Sequence, residues 1–248
     1  LGRRDQSLDC FERALDSNPD HIPSLLDRGR SLLLAGEYIA GFKDLEARFR
    51  MRRFQLRGMD TPRWTGAKVK GKTVLVPCEG TPGDIIQFAR YIPMIKAQGA
   101  NVVLEAPASM ADLLATVSGV DKLVIQGTAL PKFDLHAPLL SLAAIFKTTA
   151  AKVPAATPYI APPDPGAFRL PPGGDFLKVG IAWEDERTPA HVTPTPGLRP
   201  FLDLAGLAGI TLFGLQTGPA SADLKAQGSD ALIIDVARRA GGLAGLTA

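Results

Sequence analysis

The sequence predicts an α/β protein in which a few helices precede two parallel-sheet domains. Three observations support this fold class. Residues 1–50 carry a helical pattern, short apolar runs alternate with helical patterns from residue 73, and the alternation resumes after a segment rich in proline and glycine at 161–175. Short buried strands separated by helices are typical of parallel sheets covered on both faces.

The composition is that of an ordinary globular protein. The 248 residues are 46% hydrophobic and 21% charged, with a formal net charge of +3, which is too small to indicate a polyanion partner. The two cysteines, Cys10 and Cys78, lie far apart, which argues against a disulfide framework and predicts a reducing, cytoplasmic location. Apolar runs stay well short of 18 residues, so we expect no membrane span.

The first 50 residues predict helices that repeat. Leu8, Phe11 and Leu15 form one apolar stripe, and a turn containing Pro19 follows it. Gly2 recurs as Gly36, an offset of 34 residues. This period resembles the tetratricopeptide repeat, although the first unit lacks its first helix. One and a half repeats do not form a stable solenoid, so either more repeats precede residue 1 or the helices pack on the next domain.

A basic linker at 51–72 joins the helices to the first sheet domain. From 48 to 72 there are nine Lys or Arg residues and one acid, Asp60, interleaved with Phe49, Phe54 and Trp64. Cations are favoured at a helix C-terminus, and we assign the segment to that role followed by a linker. A nucleic-acid surface is the weaker alternative, and an anionic glycolipid or an acidic protein is the other.

Two Rossmann-like domains follow, at 73–160 and 176–248. The first has predicted strands near 73–77, 101–105, 121–125 and 133–136, with helices near 84–97, 108–117 and 138–147. The second has predicted strands near 178–183, 210–216 and 232–236 and a helix near 200–208. Its length is roughly half of what a doubly wound domain needs, so we expect this domain to be incomplete.

The sharpest motif is the loop from Gly80 to Asp84, which leads from the first strand into a helix. Its spacing, G-x-x-G-D, excludes the dinucleotide fingerprint and the P-loop. Backbone N–H groups at such a helix start face a ligand. Asp84 is either the N-cap of the helix or a general base in a cleft. Gly80 and Gly83 either allow a ligand to approach the backbone or serve the turn alone.

Other candidate residues surround this motif. Gln87 shares a helical face with Asp84. His136 ends a short strand at the edge where such sheets bind ligands, although a structural role is the commoner one for a lone histidine. His21, His136 and His191 have no spacing that suits zinc, and G-x-S-x-G is not found, so we predict neither a metal site nor a serine hydrolase.

Several segments together resemble a bacterial family in which tetratricopeptide repeats precede a glycosyltransferase-like module related to the heptosyltransferases. The segments are WTG at 64–66, GKTVL at 71–75, GDIIQFARY at 83–91, FDLHAPLLSL at 133–142, VGIAW at 179–183 and GLQTGP at 214–219. The resemblance implies a GT-B fold and sugar transfer from a nucleotide-sugar donor to an unidentified acceptor, without a cofactor. It implies Asp84 as the general base, and Gly80, Gly83, Gln87, His136, Trp183 and Gln216 as substrate-binding residues.

The sequence also departs from the family pattern. Residues 193–197 replace a basic loop suited to a donor phosphate, Thr217 stands where the family has lysine, and the later donor-binding segment is missing. We therefore expect a truncated chain that binds a nucleotide-sugar weakly or not at all. The alternative function is a non-catalytic scaffold that binds a protein partner through its repeat helices.

Overall fold

The computed structural model describes residues 4–52, 54, 57, 60–161, 176–184 and 197–237. The chain divides into two compact units, Leu1–Ala161 and Pro162–Ala248. Each unit contains a parallel sheet with helices, which confirms the predicted α/β class. The helices of the N-terminal segment and the first sheet belong to the same unit.

Three helices begin the first unit: α1 (Arg4–Ser17), α2 (Ile22–Ala35) and α3 (Tyr38–Leu45). Gly36 ends α2 in the left-handed conformation, with φ of 87°, which favours glycine. The axes of α2 and α3 approach closely because both helices carry a glycine at the crossing. A Cβ added to Gly41 would lie 2.9 Å from the carbonyl oxygen of Gly29 and 2.8 Å from the side chain of Leu33.

The first sheet has four parallel strands in the order β3-β2-β1-β4. They are β1 (Thr73–Pro77), β2 (Asn101–Ala106), β3 (Lys122–Ile125) and β4 (Leu135–His136). Central β1 is almost wholly apolar, and its Leu75 is paired with Val103 on one side and His136 on the other. The four predicted strands are confirmed, with the fourth shortened to two residues.

The helices of this sheet are shorter than predicted. They are α4 (Pro82–Ala89), α5 (Ile92–Ala97), α6 (Ala111–Leu114) and α7 (Leu142–Ile145), and 3-10 turns at Ala108–Met110 and Leu139–Ser141 precede the last two. The predicted continuous helix at 84–97 is wrong. Pro93 has no N–H to donate to the carbonyl of Ala89, so the chain breaks between α4 and α5.

The second unit has three parallel strands in the order β5-β6-β7, namely β5 (Leu177–Ile181), β6 (Ile210–Gly214) and β7 (Ile233–Asp235). Its helices are α8 (Arg199–Leu202) and α9 (Asp223–Ala226). The predicted helix at 200–208 is wrong beyond its first turn, which continues as a 3-10 turn at Asp203–Gly206. The core contains Ile181, Trp183, Leu198, Leu212, Leu224 and Ile233.

Some predictions fall outside the described residues. These are the proline-rich linker from residue 162 to 175, His191, and the divergent loop from 193 to 196. Across the described residues, the helices are all too short or too polar to cross a membrane.

Candidate functional site

The loop after β1 carries Asp84 into the first turn of α4. The hydroxyl oxygen of Thr81 accepts a hydrogen bond from the Asp84 N–H at 3.1 Å, and the Thr81 N–H donates to Asp84 Oδ2 at 2.8 Å. This reciprocal pair is a capping box. The N-cap is therefore Thr81, and of the two alternatives for Asp84 the N-cap is wrong. Asp84 occupies the third helical position instead.

The two glycines of the loop differ in their environment. Gly80 has a φ of +82°, and a Cβ there would lie 2.8 Å from Asp84 Oδ2. Only glycine fits this position while the capping box is closed. Gly83 is exposed, and a Cβ there would make only an ordinary contact with Thr81 at 3.7 Å. The local packing therefore accounts for Gly80 and not for Gly83.

Asp84 and Gln87 both line a cleft of about 750 Å³ inside the first unit. Helices α2 and α3 provide one wall of this α2–α4 cleft, and α4 provides the other. Its apolar residues include Leu33, Leu34, Phe42, Met51, Phe88 and Leu140. The volume lies in the usual range for small-molecule sites, and an apolar lining with a few polar groups is typical of them.

A buried ionic network lies beside the cleft and joins the helical segment to the sheet. Arg48, which follows α3, donates to both carboxylate oxygens of Glu79, through Nε at 2.9 Å and Nη2 at 2.7 Å. The Glu79 side chain is only 3% exposed. Burial tends to lower the pKa of Arg48, but the hydrogen bonds and charge of Glu79 raise this pKa above its ordinary value.

Further groups complete this Arg48–Glu79 network. Arg48 also donates to Glu46 Oε1 at 2.7 Å and to Ser141 Oγ at 2.6 Å. The second oxygen of Glu46 accepts from Arg63. The backbone N–H of Leu140 points at Glu79 Oε1, at 3.3 Å. Both oxygens of the buried Glu79 carboxylate thus have partners, in Arg48 after α3 and in the Leu140 N–H before α7.

A second buried carboxylate lies at the end of the neighbouring strand. Glu105, near the carboxyl end of β2, accepts from Arg57 at 2.9 Å. Burial raises the pKa of Glu105, while Arg57 opposes the shift. Burial also raises the pKa of the Cys78 thiol to about 12, reinforced by the charges of Glu105 and Glu79.

These pairs add to the assignment of the basic segment. Arg48 serves the helix terminus as expected, because its Nη1 donates to the Leu45 carbonyl at the end of α3 at 3.1 Å. Arg48, Arg57 and Arg63 in addition neutralise carboxylates of the first unit. Sequence reasoning missed Glu79 and Glu105 as their partners. A signal was present, since an acid ends each of two apolar strands while a basic excess lies nearby in the chain.

His136 lies on β4 and is not among the residues that line the α2–α4 cleft. Its Nδ1 is 3.3 Å from the hydroxyl oxygen of Thr61, and the side chain is buried. Burial lowers the pKa of this imidazole, helped by the nearby charge of Arg63. The structure therefore gives His136 a partner in the core and does not bring it to Asp84.

The two remaining predicted residues belong to the second unit, where the Gln216 amide joins the ends of β5 and β6. Its oxygen accepts from the N–H groups of Trp183 and Glu184, each at 2.9 Å, and its nitrogen donates to the carbonyls of Glu184 and Thr217. All four hydrogen-bonding positions of the amide are used. The Trp183 indole is buried in the core, and its Nε1 has no partner among the described residues.

Within the described ranges, no group of three or more His, Cys, Asp or Glu residues is arranged to hold a metal ion. We find no match to this chain among protein families, curated proteins or solved structures. The resemblance to the repeat-containing glycosyltransferases therefore remains a prediction from the quoted segments.

Proposed function

We propose that this chain is a glycosyltransferase-family protein and that the α2–α4 cleft is its acceptor site. The observation that carries the proposal is the position of Asp84, a carboxylate on the wall of a cleft of about 750 Å³ at the ligand-facing edge of a parallel sheet. Ligands of open α/β sheets bind at this edge.

The hydrogen bonding of Asp84 leaves room for a general base. Its Oδ2 is held by the Thr81 N–H, which fixes the direction of the carboxylate. Its Oδ1 has no partner among the described residues, so this oxygen is available to take a proton from an acceptor hydroxyl. Gln87, one turn later on the same cleft wall, would orient the acceptor.

The donor would be a nucleotide-sugar bound on the second unit. Two α/β units that each contain a parallel sheet support assignment to the GT-B fold. Such a ligand would bind at the carboxyl ends of β5 and β6. Because Gln216 is fully used in backbone hydrogen bonds, we assign it to shaping that edge together with Trp183.

The test is nucleotide release from a panel of UDP-, GDP- and ADP-sugars, each supplied at millimolar concentration because we expect weak donor binding, with simple monosaccharides as acceptors. We expect Asp84→Asn to lower release by about a hundredfold or more, since an amide cannot act as a base. The matched control is Asp112→Asn, an exposed acid in the first turn of α6, which should release nucleotide at the original rate. Equal rates for the original chain and Asp84→Asn would overturn the role of Asp84.

A second candidate function is a scaffold that binds a protein partner through its tetratricopeptide-like helices. The observation that favours it is the apolar side of the cleft, where Leu34 is 80% and Met51 is 42% exposed. Apolar side chains so exposed beside a groove are a feature of interaction sites. Binding of a peptide that is weakened by Leu34→Asp, without nucleotide release from any donor, would favour the scaffold over the transferase.

A further inference from the structure

The Arg48–Glu79 network crosses from the helical wall of the α2–α4 cleft to the loop that carries Asp84. Arg48 lines the cleft and follows α3, whereas Glu79 directly precedes Gly80 at the end of β1. The two residues are 31 positions apart in the sequence. Their paired hydrogen bonds form a charged link between the helical segment and the loop. This link is nearly buried, because the side chains of Arg48 and Glu79 are 12% and 3% exposed.

Burying such a pair is costly, and an apolar pair of similar size would stabilise a fold as well or better. The geometry of the pair supports a role beyond stability. The guanidinium group and the carboxylate form two parallel bonds, which fix direction as well as distance. Glu79 is held in one orientation by Arg48, and the Leu140 N–H reinforces that orientation.

The loop from Glu79 to Thr81 connects the orientation of Glu79 to that of Asp84. Gly80 follows Glu79 with a φ of +82°, and the backbone there passes so close to Asp84 that an added Cβ would lie 2.8 Å from Asp84 Oδ2. Thr81 then closes the capping box with Asp84. Arg48 is thus linked to the Asp84 carboxylate by hydrogen bonds at both ends and by the two peptide bonds from Glu79 to Thr81 between them.

We infer that Arg48 is a positioning residue, which acts through Glu79 to hold the 79–84 loop so that Asp84 faces the α2–α4 cleft. The catalytic meaning of this role rests on the proposed function. The positioning itself does not, and it is tested without any measurement of activity.

The experiment measures backbone amide hydrogen exchange in the full chain. The reporting amides are those of Asp84, which donates to the Thr81 hydroxyl oxygen, and Ile85, which donates to the Thr81 carbonyl at 2.9 Å. The reference amides are those of Val103 and Leu104 in the buried strand β2. Exchange at the loop relative to the reference separates local opening from a general loss of stability.

Three variants distinguish positioning from stability. Arg48→Met leaves Glu79 buried without its counter-ion and should lower the melting temperature. Adding Glu79→Gln removes the buried charge and should restore much of that loss. If Arg48 positions the loop, this double variant still exchanges at Asp84 and Ile85 at least about tenfold faster than the original chain. Arg48→Lys should behave likewise at the loop, because an ammonium group cannot form the two parallel bonds.

The matched control is Arg28→Met, which breaks the pair between Arg28 and Asp44, at 2.6 Å, within the helical segment. It should lower the melting temperature without changing the relative exchange at Asp84 and Ile85. Original exchange rates at the loop in the Arg48→Met, Glu79→Gln double variant would overturn the inference. Equal acceleration in Arg28→Met would overturn it too, since any loosening of the helices would then suffice.

Discussion

The imidazole of His136 makes the stability of the first unit depend on pH. Burial lowers the pKa of His136 below its ordinary value of 6.5, so the folded state binds a proton less readily than the unfolded state does. The stability from this site is present above pH 6.5 and is lost as the pH falls through the lower, folded value. The unfolding free energy should therefore decline on mild acidification.

His136→Gln should flatten this decline, whatever it does to stability at neutral pH. The measurement is urea unfolding at a series of pH values between about 7 and 5. Leu75→Val is the control, since Leu75 lies beside His136 in the sheet and carries no titratable group, and it should keep the original slope. A slope that His136→Gln does not change would show that other groups cause the decline.

At the residue scale, part of the candidate site can be predicted from the sequence and part cannot. Thr81 and Asp84 form the S/T-x-x-D pattern of a capping box, so the true N-cap was readable from local spacing. The pairing of Arg48 with Glu79 was not, because their contact exists only once the helical segment has packed on the sheet. A capping box is formed by residues close together in the sequence and can be predicted from their spacing. A charge pair 31 positions apart forms only in the folded chain.

Among the elements, the crossing of α2 and α3 gives the sharpest prediction. Gly41→Ala places a Cβ 2.9 Å from the Gly29 carbonyl oxygen, and a backbone atom cannot move aside cheaply. We expect a loss of about 1–3 kcal/mol in unfolding free energy, the usual cost of overpacking, although alanine is the better helix former.

Gly83→Ala, also on a helix, is the matched control for this substitution. Its Cβ has ample space, with Thr81 at 3.7 Å, so unfolding free energy should stay the same or rise. Urea denaturation of both variants measures the difference. A neutral Gly41→Ala would mean that α2 and α3 can separate without cost.

The strands were more predictable than the helices for a physical reason. Central strands such as β1 are buried on both faces and therefore read as continuous apolar runs. The helices on this sheet span only one or two turns, too short for a 3.6-residue period to define their ends. Pro93 is a clear signal beside the capping box of α4, and it marks the break between α4 and α5.

On the scale of the whole molecule, acids pair with four of the nine cations in the basic segment from 48 to 72, whereas Arg52, Lys68, Lys70 and Lys72 are exposed. Arg48, Arg50, Arg57 and Arg63 are all paired with acids, and the ring of Phe49 lies between the guanidinium groups of Arg48 and Arg63, at 4.3 and 4.4 Å. Phosphate groups would have to compete with these internal partners.

We therefore expect weak binding to nucleic acid. Fluorescence anisotropy with a labelled DNA duplex should give a Kd weaker than about 100 µM at about 150 mM salt, the weak end of non-specific binding. A Kd tighter than about 1 µM that rises steeply with added salt would contradict this expectation and favour the nucleic-acid interpretation.

The organisation of the chain was predictable only as a choice between alternatives. A partial 34-residue period required either further repeats or packing on the next domain, and sequence alone did not decide between them. In the structure, the helices and the four-stranded sheet form a single compact unit. The second of these alternatives therefore describes residues 1–161, whatever precedes them.

The burial of Cys78 has a practical consequence. This thiol lies two residues before Gly80, is 2% exposed, and has a pKa of about 12, so a thiol reagent finds neither access nor thiolate while the sheet edge is closed. Exposed Cys10 reacts freely and can be replaced. In the single-cysteine protein that results, every modification records one opening of the chain beside the cleft. The rate of modification therefore measures how often the chain opens at the end of β1.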